Sequence, residues 1–394
     1  MTLLANLLLT LLSVPAVLSC GYLLCLTLLS GRPLAPKPGA RILRFDIIIP
    51  AHNEASIIQR TVTSLQDIRW PREAFRILAV ADNCSDDTAA VAQAAGAEVL
   101  VRNDSDHRGK GYALRYAFEV SCAAGLADAV VVVDADSEVS GNLLEALSAR
   151  IEAGANAVQV HYGVRNPMAS WRTRLITIAK GAVHIVRSRA RERLGFSCGL
   201  RGNGWCVTHR LLRQVPYQAF SLTEDVEYGI AIGLAGYRVF YADEAHANAD
   251  MVSSESLARR QRQRWEDGRF QLIRTQTLKL LNAALKRRSG VCLDLALDLL
   301  VLPLSYVALN VLLLLSVAAF ALWLNLAPAA WLWAGIACFA GLCSYVLRGW
   351  QLSGIGARGA LDLAGIPWFL AWKVWLMLQR RESKEWVRTS REPK

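Results

Sequence analysis

The chain has 394 residues, of which 53% are hydrophobic and 20% charged, and its mean hydropathy is +0.26. Soluble domains carry about 25% charged residues, so the lower charged fraction of this chain indicates membrane association. Its high apolar content excludes a disordered or collagen-like chain. The net charge of +11 suits an anionic membrane surface, a phosphorylated substrate or a nucleic acid. Nine scattered cysteines without a C-x-x-C pair indicate neither a disulfide framework nor a zinc site.

An uncharged segment, residues 3–29, opens the chain and is long enough to cross a bilayer core of about 30 Å as a helix. The basic region that begins a signal peptide does not precede it, so we expect a membrane anchor over residues 1–30. The following linker, residues 31–44, has only basic charges, at Arg32, Lys37, Arg41 and Arg44. By the positive-inside rule, the N-terminus lies outside and the following residues lie in the cytoplasm.

Short apolar runs and amphipathic stretches alternate in the next part of the chain, which we take as one domain over residues 45–250. Strands are predicted at 45–50, 75–80, 97–101 and 129–134, and helices at 57–65, 88–95 and 110–124. This alternation predicts an α/β domain with a mostly parallel sheet covered by helices on both faces. In such sheets the ligand binds beyond the carboxyl ends of the strands.

Acidic clusters follow three of these strands, and a fourth cluster comes later in the domain. They are P-A-H-N-E at 50–54, D-N-C-S-D-D at 82–87, D-A-D at 134–136 and T-E-D at 223–225. The D-x-D spacing places Asp134 and Asp136 on one side of an extended backbone. Such a pair binds a hard cation through oxygen, and Mg²⁺ or Mn²⁺ shared with phosphates fits best.

Three further segments carry basic or aromatic side chains. Q-R-Q-R-W at 261–265 lies within an amphipathic region, 251–290, and alone indicates a solvated basic helix docked at the membrane surface. The helix-like run 171–193 is rich in arginine, which is typical of a solvated face and also suits anionic headgroups or a lipid diphosphate. The glycine-rich loop 197–204 is flanked by Phe196 and Trp205, whose rings can stack on a sugar, although an ordinary turn explains it equally well.

The C-terminal third becomes strongly apolar again. Residues 299–347 have no Asp, Glu, Lys or Arg, and a break at 325–328 predicts two membrane helices within 291–348. A third apolar stretch, 366–378, is short, carries Lys373 and precedes a basic tail. Over 349–394 we therefore expect an interfacial helix and a cytoplasmic tail, with a third C-terminal span as the alternative.

Taken in order, five motifs resemble those of the membrane-bound family 2 glycosyltransferases. They are P-x-x-N-E, D-x-x-S-x-D, D-x-D, T-E-D and Q-x-x-R-W. The family includes the synthases of cellulose, hyaluronan, chitin oligosaccharide and poly-N-acetylglucosamine, and the resemblance covers residues 45–270. It implies a GT-A fold and inverting transfer from a nucleotide-diphosphate sugar, with a UDP-sugar favoured.

The resemblance also implies residue roles. Asp225 is the expected general base, with Glu224 beside it, and Arg264 is expected to offset the charge of the departing diphosphate. Asp136, with Asp134, is expected to hold Mg²⁺ or Mn²⁺. The expected donor contacts are Pro50, Asn53, Glu54, Asp82, Lys110, Asp134, Gln261, Arg264 and Trp265. The expected acceptor contacts are Gly199, Trp205, Glu224 and Trp265.

The leading prediction is a multi-pass enzyme of the cell inner membrane whose cytoplasmic domain extends an exopolysaccharide. About three spans make a thin wall for a polymer channel, so a homo-oligomer or polysaccharide-export partners would have to complete it. Single-sugar transfer to a lipid or polyprenyl-linked acceptor is the alternative. A nucleotide-sugar sensor or inactive scaffold is disfavoured by the intact Asp225 and Arg264. Nucleic-acid binding is disfavoured because no reader motif appears and the charge lies beside apolar spans. The sugar, the nucleotide base, the linkage and the oligomeric state stay open.

Overall fold

The computed structural model describes residues 1–37, 39, 41–251 and 255–365, the last range without the side chains of 255–258 and 260. The predictions for 366–378 and for the basic tail fall outside the described residues. Eight described strands form one sheet in the order β3-β2-β1-β4-β7-β6-β8-β5. The strands are β1 Phe45–Ala51, β2 Phe75–Asp82, β3 Glu98–Arg102, β4 Ala129–Val132, β5 Ser137–Val139, β6 Ala157–Val164, β7 Trp205–Thr208 and β8 Val239–Ala249.

The sheet is mostly parallel, as predicted. Strand β1 pairs in parallel with β2 and β4, β2 with β3, and β6 with β8, whereas β7 runs antiparallel between β4 and β6. Two antiparallel steps restore the original direction, so β6 points the same way as β1 and β4. The carboxyl ends of β1, β2, β4 and β6 therefore share one edge of the sheet, where a ligand is expected.

Helices cover both faces of this sheet. They are α2 Ile58–Gln66, α3 Thr88–Ala94, α4 Lys110–Ala124, α5 Leu143–Glu152, α8 His209–Gln214 and α9 Glu224–Leu234. Successive side chains of β1 point to opposite faces, so Ile47 and Ile49 join one apolar core while Ile48 joins the other. A strand buried on both faces needs a continuous apolar run, which is what the sequence of β1 supplies.

The remaining described α-helices lie away from the sheet faces or outside residues 45–250. They are α1 Thr2–Leu28, α6 Trp171–Lys180, α7 Arg187–Leu194, α10 Glu255–Arg287, α11 Gly290–Leu300, α12 Leu304–Trp323, α13 Ala330–Ser353 and α14 Gly356–Leu363. A π-helical turn, Gly181–Val186, joins α6 to α7. Helices α1, α12 and α13 are each long and apolar enough to cross a membrane, and they share a buried apolar core.

The first of the two C-terminal apolar helices begins later than residue 299, where the uncharged stretch starts, whereas the second begins at Ala330, just after the predicted break at 325–328. Helix α11 is a separate element that packs on α9 and α10, and α12 begins only at Leu304. Pro303 immediately precedes α12, and a proline cannot continue a preceding helix because it lacks a backbone N–H and clashes with the turn before it. Helix α13 continues to Ser353, beyond the predicted end at 348.

The solvated-face interpretation of residues 171–193 is wrong for two arginines near the C-terminal end of the run. The side chains of Arg187 and Arg191 are only 5% and 0% exposed. Arg187 lies 2.8 Å from Asp298, and Arg191 lies 2.8 Å from Asp298 and 2.9 Å from Asp294. Tyr22 of α1 and Tyr345 of α13 hydrogen-bond to the same groups. We call these six side chains the junction cluster: Tyr22, Arg187, Arg191, Asp294, Asp298 and Tyr345.

Candidate active site

The loops after β1 and β2 are tied together at the carboxyl edge of the sheet. Asn53 Oδ1 accepts a hydrogen bond from the Ser85 backbone N–H at 2.7 Å, and the His52 ring contacts the Asp82 carbonyl oxygen at 2.7 Å. Asn53 has φ 56°, a left-handed conformation that asparagine tolerates better than most residues. Two of the predicted donor residues, Asn53 and Asp82, are thereby brought to one corner of the site.

Pro50 and Glu54 of the P-x-x-N-E motif lie in the same corner of the site as Asp82. Pro50 stands in β1 opposite Val80, and the Glu54 backbone N–H donates to Thr88 Oγ1 at 2.8 Å. Asp82 Oδ1 accepts from the guanidinium of Arg102 at 2.6 Å. Because Arg102 lies at the end of β3, it holds the Asp82 carboxylate at the rim of the sheet.

Lys110 connects three parts of the site. Its Nζ donates to Asp134 Oδ1 at 2.6 Å and to the Gly202 carbonyl oxygen at 2.7 Å, and lies 3.5 Å from Glu224 Oε1. Burial works against the ammonium charge, but the carboxylates of Asp134 and Glu224 outweigh it and raise the pKa of Lys110. One cation thus joins the D-x-D motif, the glycine-rich loop and the T-E-D motif.

The D-x-D pair lies between β4 and β5, with Asp136 buried and Asp134 half-buried. Within the described part of the chain, no three His, Cys, Asp or Glu side chains lie close enough together to hold a metal ion by themselves. The oxygens of Asp136 and Asp134 nevertheless suit a hard cation that completes its shell with water and substrate phosphates. The donor set therefore fits Mg²⁺ or Mn²⁺ only together with a phosphorylated ligand.

Asp225 stands in the first turn of α9, where the helix dipole favours a negative charge. Burial and the neighbouring Glu224 carboxylate raise the pKa of Asp225 to about 7, although Lys110 works in the opposite direction. Gly202, at φ 86°, faces this carboxylate, since a Cβ placed there would lie 3.5 Å from Asp225 Oδ2. The missing side chain keeps the space in front of the carboxylate open.

The Q-x-x-R-W motif lies on α10, next to the T-E-D turn. A Cβ on Gly268 would come within 2.6 Å of Thr223 Cγ2, so the helix and the turn are in close contact. Arg264 stands about one turn earlier on α10. It is half-buried, and its Nε has no hydrogen-bond partner in the described structure. Gln261 is also half-buried, and Trp265 is 38% exposed.

The acceptor prediction for Trp205 is wrong. Its side chain is fully buried, and its ring packs against Phe118 at 5.9 Å and Tyr228 at 6.2 Å between centroids. The physical reason is that Trp205 begins β7, a central strand, so the ring points into the core beneath the site. Gly199 lies in the half-buried loop before β7 and adopts φ 74°.

Several residues of the site were missed by sequence reasoning. Tyr162, near the end of β6, faces the same space as Gly202, whose Cβ would lie 4.0 Å from the Tyr162 ring. Arg102 pairs with Asp82, and Asn203 Oδ1 accepts from the Asp134 backbone N–H at 3.0 Å. Asn203 stands in the glycine-rich loop, so that motif was a usable signal, whereas nothing in the local sequence marks Tyr162.

Comparison with known families gives a match over most of the domain. The family described as "Glycosyltransferase like family 2" matches residues 43–268. These residues include every described site residue named above. The match covers more than half of the chain and ends just beyond the Q-x-x-R-W motif.

Curated relatives and a solved structure extend this match. Glycosyltransferase AglD of Haloferax volcanii is 31% identical over 133 residues, 32% of this chain and 21% of that protein. The β-monoglucosyldiacylglycerol synthase of Synechocystis is 25% identical over 235 residues, 57% of this chain and 47% of that protein. The chain thus spans less than half the length of either relative. A Pyrobaculum calidifontis mannosyltransferase, solved with GDP-mannose and Mn²⁺, has a TM-score of 0.52 at 18% identity, covering 89% of this chain and 99% of that one. This likeness confirms the predicted GT-A-like fold.

Proposed function

The chain belongs to the glycosyltransferase-like family 2, and we propose that it transfers a sugar, with inversion, from a nucleotide-diphosphate sugar to a hydroxyl presented at a membrane. The observation that carries this proposal is the half-buried Asp225 side chain, whose carboxylate faces Gly202 and has its pKa raised to about 7. A carboxylate with that pKa is half deprotonated near neutral pH and basic enough to take a proton from a hydroxyl. A single base acting opposite the leaving group inverts the configuration at C1.

The donor is proposed to lie along the edge formed by the ends of β1, β2 and β4. Asp82, Asn53 and Glu54 would contact the nucleoside end, and Arg264 would lie against the departing diphosphate. A Mg²⁺ or Mn²⁺ ion at Asp136 and Asp134 would supply positive charge to the diphosphate oxygens. Lys110, between Asp134 and Glu224, holds the donor side and the base side of the site in register.

Two acceptor classes are supported by different observations. The inward faces of α1, α12 and α13 bury Leu9, Val311 and Leu314 in one core, so these described helices pack as a closed bundle. A closed bundle suits an acceptor that stays in the membrane, and we therefore propose single-sugar transfer to a lipid or lipid-linked acceptor at the cytoplasmic face. Extension of an exopolysaccharide is the second candidate. It is favoured because the Q-x-x-R-W motif, with Gln261, Arg264 and Trp265, resembles that of the polysaccharide synthases named above.

The test is to incubate membranes containing the protein with labelled UDP- and GDP-sugars in turn and to size the products. Membranes containing an Asp225→Asn variant provide the matched control for host enzymes. We expect one nucleotide sugar to give a lipid-extractable product with a single added sugar. Excess EDTA should abolish that product, and added Mn²⁺ or Mg²⁺ should restore it. A high-molecular-weight product would support the second candidate, and no transfer beyond the control from any donor would contradict the function.

A further inference from the structure

A polar cavity lies between the end of β6 and the end of α13, and Lys180 in its lining is close enough to Asp134 and Asp136 to interact with their charges. Its volume is about 220 Å³, and it is enclosed by β6, β8, α6 and the end of α13. The polar side chains that line it are His161, Thr177, Lys180, His246, Asn248 and Ser353. Its described lining contains no Asp or Glu.

Lys180 is the main charged group of this cavity. The residue is 7% exposed, and its Nζ has no hydrogen-bond partner in the described structure. The Nζ lies 3.1 Å from the centroid of the Tyr162 ring, a cation–π contact that leaves its hydrogen-bonding capacity unused. His161 Nδ1 is also buried without a hydrogen-bond partner. A buried ammonium and a buried ring nitrogen without partners indicate an absent hydrogen-bonding ligand, because buried polar groups are normally paired.

Burial is costly for these basic groups. It lowers the pKa of Lys180 to about 7 and the pKa of His161 to about 4. The carboxylates of Asp136 and Asp134 work against this lowering at Lys180, and an anion in the cavity would supply the hydrogen-bond acceptors that its ammonium lacks.

The cavity is shaped by close backbone approaches. A Cβ on Gly163 would lie 2.1 Å from Asn248 Oδ1 and 3.2 Å from His161 Nε2, so any side chain there would displace the lining. A Cβ on Gly181 would lie 2.4 Å from the Gly349 carbonyl oxygen. The second approach presses the π-helical turn against the end of α13 and fixes Lys180, the residue before Gly181.

The cavity also lies between the apolar helices and the proposed base. On one side, Ser353 is the last residue of α13, one of the three helices long enough to cross a membrane. On the other side, Tyr162 contacts Lys180 and faces the space near Gly202 in which Asp225 lies. A ligand bound here would therefore reach from the end of a membrane helix toward the base.

We propose that this cavity binds the phosphate group of a phosphorylated membrane lipid and thereby positions that lipid as the sugar acceptor. The proposal rests on the proposed function and adds the class of acceptor. Phosphate is favoured because it is a compact anion that can accept hydrogen bonds from Lys180, His161 and Asn248 at once. A membrane lipid is favoured over free phosphate because the cavity adjoins the end of α13.

The test measures binding to the purified full-length protein in a neutral detergent. The probes are dioctanoyl-phosphatidylglycerol, which carries both a phosphate and free hydroxyls, dioctanoylglycerol, which lacks the phosphate, and inorganic phosphate. We expect phosphatidylglycerol to bind at least tenfold more tightly than either other probe. Lys180→Met should weaken phosphatidylglycerol binding at least tenfold, whereas Lys279→Met, at an exposed position of α10, should not change it.

UDP and GDP binding in the presence of Mn²⁺ is measured on the same samples. Retained nucleotide binding shows that the Lys180→Met protein is folded, and His246→Gln serves as a second cavity variant with a smaller expected loss. Equal lipid affinity in the wild type and both cavity variants would overturn the proposal. Inorganic phosphate binding as tightly as the lipid would overturn the lipid assignment. If the wild type binds neither UDP nor GDP, the proposed function is contradicted, while the measured affinity for phosphatidylglycerol stands.

Discussion

The Lys110–Asp134 pair at the donor edge and the junction cluster hold their charges in contrasting ways. At the donor edge, Asp82 pairs with Arg102, 20 residues away, and Lys110 pairs with Asp134, 24 residues away. Lys110 and Asp134 keep 28% and 26% of their side chains exposed, whereas Arg102 and Asp82 keep only 11% and 7%. In the junction cluster, Arg187 and Asp298 are 111 residues apart, and their side chains are 5% and 12% exposed.

This contrast separates charges that can change partners from charges that hold elements together. The ammonium of Lys110 is open to solvent on one side, so a diphosphate can approach without breaking the fold. Arg187 and Arg191 have no such opening, and their partners come from α1, α11 and α13. We therefore expect substitutions at the donor edge and the base to reduce transfer, and substitutions in the junction cluster to reduce stability.

Substitution of Asp225, the proposed base, is expected to change the rate of transfer most. Asp225→Asn removes the proton acceptor but keeps the shape and the position at the start of α9. We expect the rate of transfer to fall about 10²–10⁴-fold, the usual range for general-base catalysis. Nucleotide binding and thermal unfolding should stay close to wild type.

The matched control for this variant is Asp67→Asn, at an exposed position after α2. Turnover of the Asp225→Asn protein within a few-fold of this control would remove Asp225 as the base. Loss of stability in the Asp225→Asn protein would place Asp225 with the structural charges instead.

The second prediction concerns the junction cluster. Asp298→Asn leaves the buried Arg187 and Arg191 without a shared carboxylate, and breaking a buried pair in this way costs about 3–5 kcal/mol. We expect a clear loss of thermal stability in detergent. Asp128→Asn removes the partner of the largely exposed Arg41 and should cost less than about 1 kcal/mol. Similar losses of thermal stability in the two variants would show that the junction cluster does not hold these elements together.

The smallest expected effect is at the contact between α10 and the T-E-D turn. Gly268→Ala places a Cβ 2.6 Å from Thr223 Cγ2, so either the Thr223 side chain or α10, which carries Arg264, must shift. We expect transfer to fall roughly 10- to 100-fold, because small displacements of catalytic groups are costly. The double variant Gly268→Ala with Thr223→Ala should recover most of the loss.

The matched control for this contact is Gly21→Ala in α1, where a Cβ meets nothing within 4 Å. Full activity of the single Gly268→Ala variant would show that the position of α10 does not matter for transfer.

The donor edge was largely predictable from the sequence because its motifs follow directly after strands. Asp82 ends β2 and Asp134 lies two residues beyond β4, so both stand at the carboxyl edge of the sheet. Boundaries were also close, since β1 and β2 extend their predicted runs by only one or two residues.

The junction cluster was less predictable because its partners are distant in sequence. Nothing near Arg187 and Arg191 announces Asp294 and Asp298, so a buried cluster looked like a solvated basic face. Trp205 was misjudged because a tryptophan beside a glycine-rich loop suits both sugar stacking and a core strand. Only the position of β7 between β4 and β6 decides in favour of the core.

The pH dependence of transfer is the most direct test of Asp225 as the general base. If the raised pKa of Asp225, about 7, is that of the base, transfer requires the deprotonated form and kcat/KM must rise with pH. The prediction is a tenfold rise per pH unit from about pH 5.5, with a midpoint near 7 and a plateau above it. A profile that is flat down to about pH 5.5 would contradict a base with a raised pKa at Asp225.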